Sequence, residues 1–141
     1  MGKRYLAHLR AAVATSAAPY GYTLTVWTSG AITTHSQDIP TALEALLFMG
    51  GAVIGFAAVG AAAHGSATKV LRAPEQATVQ LWGGLHLPAV GFAIAGCAAI
   101  VGLAHGVLVW PLVGFSATAI YLLVIAAQFT IADERGWQRR S

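Results

Sequence analysis

The chain has 141 residues, 57% of them hydrophobic and 9% charged, where a soluble domain carries about 25% charged residues. Long stretches hold no Asp, Glu, Lys or Arg, so the composition excludes a soluble globular domain and reads as an integral membrane protein; the net charge of +3 is a matter of topology and implies no nucleic-acid partner. A single cysteine, Cys97, excludes an intrachain disulfide and any CxxC metal or redox pair.

A helix needs about 20 mostly apolar residues to cross a bilayer. Stretches at about 11–33, 41–63, 79–103 and 107–132 meet that length, which predicts an all-α fold: one transmembrane domain over 1–141, an integral membrane bundle of four transmembrane helices. The first span is the least hydrophobic, carrying Thr15, Ser16, Thr23, Thr25, Thr28 and Ser29, and is interrupted by Pro19 and Gly21. Thr15, Tyr22 and Ser29 recur every seven residues with Thr25 beside them. Such a hydroxyl stripe either satisfies its own helix carbonyls or walls a permeation path. The basic start followed by "AAVATSAA" has the outline of a signal peptide but lacks Leu, Ile and Phe, and is expected to be retained.

The second span opens with "TALE" (41–44), a capping box in which Thr41 and Glu44 exchange hydrogen bonds. Glu44 is also the one carboxylate inside a span, and with Asp38 and His35 it would make an acidic outer vestibule attracting cations. Gly51 and Gly55 then form a GxxxG face, and Gly91 and Gly96 give the third span small-residue surfaces; in lipid, where burial of apolar area no longer drives helices together, such faces allow close backbone packing within or between chains.

The third span contains "WGGLHLP" (82–88), an ionisable side chain beside a backbone break. Pro88 displaces the carbonyl of Gly84, and a freed carbonyl in hydrocarbon must face protein or water. His86 is therefore either a neutral side chain in a packing kink or part of a polar constriction or ligand site, the default reading for an intramembrane ionisable residue. The turn "AHG" (104–106) makes the third and fourth spans antiparallel neighbours, and Pro111 in the first turn of the fourth is harmless. Trp27, Trp82, Trp110 and Trp137 fall where interfacial anchors belong. "PYGY" (19–22) and "PAVGF" (88–92) are what a duplicated two-helix unit would leave, though such matches come easily in an Ala/Gly-rich chain.

Lys3, Arg4, Arg10, Lys69, Arg72, Arg135, Arg139 and Arg140 all fall on one side if four spans cross, while 34–40 and 104–106 carry no Lys or Arg. The positive-inside rule then makes both termini cytoplasmic, and the multi-pass protein is expected in a bacterial inner (plasma) membrane. A membrane haem would need two histidines at one depth, and His64 and His86 differ by about 10 Å. No zinc ligand set and no hydrolase motif is present. No cofactor is expected, and nothing argues positively for an enzyme. The function expected is a homo-oligomeric channel or transporter subunit for a small ion or polar solute, with Thr15, Tyr22, Thr25, Ser29, His86 and Pro88 lining the path and Glu44 near its mouth. The alternatives are an accessory subunit docking through Gly51 and Gly55, and a redox or lipid-modifying enzyme.

Overall fold

The computed structural model describes residues 2–64 and 86–138, with side chains described at 20–62 and 86–128. Among the described residues there are four helices and no strand: α1 (Gly2–Gln37), α2 (Ala42–His64), α3 (His86–Leu103) and α4 (Val109–Gln138). Three of these carry segments long and apolar enough to cross a membrane: Ala42–Ala62, His86–Leu103 and Val109–Gln128. The described part of α1, residues 20–37, is not among them, because Thr23, Thr25, Thr28, Ser29, Thr33 and Thr34 dilute its apolar content. The helix nevertheless runs unbroken through Pro19 and Gly21, where the sequence suggested an interruption.

Each helix end has a local cause. Asp38 follows α1 in the left-handed region (φ 72°), where a short side chain that bonds its own backbone is tolerated, and this terminates the helix. The capping box at the start of α2 is formed in full: the Thr41 N–H and hydroxyl both donate to Glu44 Oε2 at 2.8 Å, and the Glu44 N–H donates back to Thr41 Oγ1 at 3.3 Å. Gly106 takes φ 89° in the turn between α3 and α4, and its carbonyl accepts the Val109 N–H at 3.1 Å.

The helix α4 is central, packing against α1, α2 and α3. With α3 it forms an antiparallel pair whose core is Cys97 and Val101 against Val109, Val113 and Ala117, with Ala89, Val90 and Ala93 around Tyr121 further along. Every buried position on α3 (His86, Ala89, Val90, Ala93, Cys97 and Val101) falls on one helical stripe. On its other side α4 runs parallel to α2, and here the backbones touch. A Cβ added at Gly51 would strike the Pro111 carbonyl, one at Gly55 would sit 2.7 Å from the Phe115 oxygen, and one at Gly114 would strike the Phe48 carbonyl. Gly51 and Gly55 thus serve a contact within the chain. Among the described residues α2 has no comparable contact with α1 or α3, so α1 and α2 do not form a hairpin like that of α3 and α4.

The helix α1 lies against α3 and α4. Its C-terminal end is tied by Gln37, whose Nε2 donates to the Ala104 carbonyl at 3.5 Å and whose Oε1 accepts the Gly106 N–H at 3.2 Å. The 38–41 connection and the 104–108 turn therefore share one end of the bundle, termed the upper end below. Both are free of Lys and Arg.

Candidate functional site

The helix α1 is turned inside out relative to a helix of a soluble protein. Thr25, Ser29 and Thr33 are fully buried, while Tyr20 (70% exposed), Leu24 and Trp27 (75%) face outward. Residues four apart share a helix face, so Thr25, Ser29, Thr33 and Gln37 form one row, with Gly21 and Tyr22 at its lower end. Against this row lie polar groups of α3 and α4, and together they make a buried polar seam through an otherwise apolar bundle.

At the lower end three helices meet. His86 Nδ1 and the Tyr121 hydroxyl are 3.0 Å apart, with the rings stacked at a 19° interplanar angle. Both side chains are buried, at 7% and 4% exposure. Gly21 of α1 presses on this pair: a Cβ there would lie 2.8 Å from the Tyr121 hydroxyl and 3.2 Å from His86 Cβ. Here the missing side chain is what permits the approach. Tyr22 packs its ring on Tyr121 with centroids 5.8 Å apart, and its hydroxyl is 3.1 Å from Thr118 Oγ1, a fully buried hydroxyl of α4.

Above this cluster, Thr25 donates to the Gly21 carbonyl at 3.0 Å and Thr33 to the Ser29 carbonyl at 2.8 Å. Each satisfies its hydroxyl within its own helix. Ser29 instead reaches across, donating to Cys97 Sγ at 3.3 Å, and the thiol in turn donates to the Val113 carbonyl at 3.8 Å. Polar atoms from three helices are thus paired inside the bundle, as an apolar surrounding demands.

Of the residues expected to line a path, the structure brings Tyr22, Thr25, Ser29 and His86 into this seam. Pro88 is exposed and faces away from it. Glu44 sits on α2, away from the seam, with its carboxylate held by Thr41. A Cβ added at Gly96 would lie 2.5 Å from Ile120 Cδ1, whereas Gly91 faces outward with nothing within 4 Å of an added Cβ. Trp110, expected at an interface, is 3% exposed. The side chains of Thr15, Pro19, His64 and Trp137, and all of 65–85 with Trp82 and the Gly84 carbonyl, lie outside the described residues. Sequence reasoning missed Thr33, Cys97, Thr118 and Tyr121. Thr118 and Tyr121, three apart in an apolar span, were a signal that one face of α4 is polar.

No group of three or more His, Cys, Asp or Glu side chains that could hold a metal occurs among the described residues. Comparison with protein-family models, curated proteins and solved structures finds nothing that matches this chain.

Proposed function

We propose that this chain is a four-span protein of the plasma membrane, both ends cytoplasmic, that conducts a small ion or polar solute along the seam between α1 and the α3/α4 pair. The observation that carries this reading is the row of buried polar side chains on α1, Thr25, Ser29 and Thr33, set beside the polar groups His86, Tyr121, Thr118 and Cys97 of α3 and α4. A bundle needing only adhesion could use the glycine contacts seen between α2 and α4. A continuous polar interior is costlier to build than small-residue packing, and a transport role accounts for it.

The outward face of α1 supports counting it as a fourth span. Thr25, Ser29 and Thr33 turn to protein while Leu24 and Trp27 turn outward, the arrangement a lipid environment favours. Four crossings put all eight basic residues on one side, opposite the upper end. The polar row lies within one chain, so a homo-oligomer would array several conduits rather than create one. The seam is closed as it stands, its partners meeting at 3.0–3.3 Å, so conduction involves parting α1 from its neighbours.

The test is flux from proteoliposomes across a panel of ions and small solutes. Wild type is expected to conduct, and Thr25→Val with Ser29→Ala to lower or redirect the flux while helical content is kept. No flux of any species from well-folded protein would refute the reading. Labelling of Arg10→Cys and Arg140→Cys in a Cys97→Ser background tests the topology. Accessibility from opposite faces of the membrane would exclude four spans.

A further inference from the structure

We propose that the species moving along the seam is the proton, carried by the His86 imidazole at the point where α1, α3 and α4 meet. The inference rests on the conduit reading above and names its substrate.

Size comes first. At the lower cluster the opposing groups are in direct contact: His86 to Tyr121 at 3.0 Å, Tyr22 to Thr118 at 3.1 Å, and the Gly21 backbone against both ring systems. A solute the size of a hydrated ion passes only if all three helices separate there. A proton passes by exchange of hydrogen bonds and needs no such gap.

Spacing comes second. The polar rungs of α1 recur every four residues, about 6 Å apart. One water making two hydrogen bonds of about 2.8 Å spans nearly that distance. Small fluctuations of the seam therefore suffice to link its rungs.

A third observation lies one step below the cluster. Gln128 follows Tyr121 by two helical turns on the same face of α4, and its Oε1 is buried with no hydrogen-bond partner. Among the described residues it is the one buried side-chain oxygen or nitrogen in that state. An unsatisfied buried acceptor costs about 1–3 kcal/mol, so the position draws in a donor such as water. That puts a water-attracting acceptor about 10 Å beyond Tyr121 along α4.

The chemistry balances without a co-reactant. With Nδ1 protonated and donating to the Tyr121 oxygen, Nε2 accepts an incoming proton. The imidazolium then releases the Nδ1 proton through the phenol, which passes its own proton onward. One proton enters, one leaves, and the ring ends as the other neutral tautomer, which ring rotation resets. Among the described residues, the titratable groups facing the imidazole are Tyr121 from α4 and, through its ring contact with Tyr121, Tyr22 from α1. The acidic side chains among those described, Asp38 and Glu44, are far off at the upper end.

The experiment uses full-length protein in liposomes holding a pH-sensitive dye, with a potassium gradient and valinomycin to set the potential. Wild type is expected to move protons far faster than protein-free liposomes, and His86→Gln to lose about a hundredfold or more, the usual contribution of a positioned acid–base group. Tyr121→Phe keeps the ring packing and is expected to slow proton movement with unchanged helical content. Flux of other ions or solutes without proton flux would overturn the proton assignment and leave the conduit standing. Wild-type proton flux in His86→Gln would overturn the carrier. No flux of any kind would remove the conduit and the inference with it.

Discussion

Gly50 and Gly51 are adjacent on α2 and should respond oppositely to the same substitution. A Cβ at Gly50 meets nothing within 4 Å, whereas one at Gly51 runs into the Pro111 carbonyl. Gly50→Ala therefore gains helix propensity without a steric cost, a stabilisation of up to about 1 kcal/mol. Gly51→Ala forces backbone to part from backbone. At Gly55 the required movement can be sized: the added carbon lies 2.7 Å from the Phe115 oxygen and needs about 3.4 Å, so the helices separate by about 0.7 Å. A gap of that order forfeits a quarter to a half of each dispersion contact along the interface, and overpacking of this kind costs about 1–3 kcal/mol. Since α2 has no comparable contact with α1 or α3, little else offsets the loss. Gly114→Ala acts on the same interface from the α4 side, so Gly55→Ala and Gly114→Ala together should cost less than their sum. The assay is reversible unfolding in mixed micelles followed by circular dichroism, with spin labels on α2 and α4 reporting their separation. Equal effects of Gly50→Ala and Gly51→Ala would refute the packing argument.

Thr41→Ala removes both hydrogen bonds of the capping hydroxyl, leaves the backbone N–H of residue 41 on Glu44, and is expected to destabilise α2 by about 1 kcal/mol in the same unfolding assay. Gln37→Leu cuts the tie between α1 and the α3–α4 turn, and hydrogen exchange at the Gly106 amide should accelerate. Cys97 is fully buried, so maleimide labelling of the folded protein should be slow and should become fast on denaturation; rapid labelling of folded protein would mean that the α1–α3 contact is open.

What the sequence made legible, and what it did not, divides along a physical line. The apolar runs of α2, α3 and α4 and the cap at 41–44 depend on residues close together in the chain, and their outlines could be read there. The hydroxyl row on α1 was visible in part. Spacing by sevens picked out Tyr22 and Ser29, but the packing follows the four-residue step that adds Thr33 and Gln37. The partners were hidden for another reason. Whether Ser29 finds Cys97, or His86 finds Tyr121, depends on the register of one helix against another, which no local pattern records. The same holds for Gly51 and Gly55: their GxxxG spacing announced a close contact, but nothing in α2 says that its partner is the backbone around Gly114.

Residues 20–37 of α1 are less apolar on average than the other three helices, but an average ignores direction: a helix with a buried row of hydroxyls has the same mean as one whose hydroxyls all face outward. The two differ greatly in lipid. Thr25 and Thr33 bond their own carbonyls and Ser29 bonds Cys97, all inside protein, leaving Leu24 and Trp27 to the outside. A polar atom already paired within the bundle adds little to the cost of placing the helix in a bilayer, because that cost attaches to groups left without partners. The pairing of Ser29 with Cys97, of Tyr22 with Thr118 and of Gln37 with the α3–α4 turn explains why α1 stays against α3 and α4: detached, these three side chains would lose their partners, whereas Thr25 and Thr33 would keep theirs.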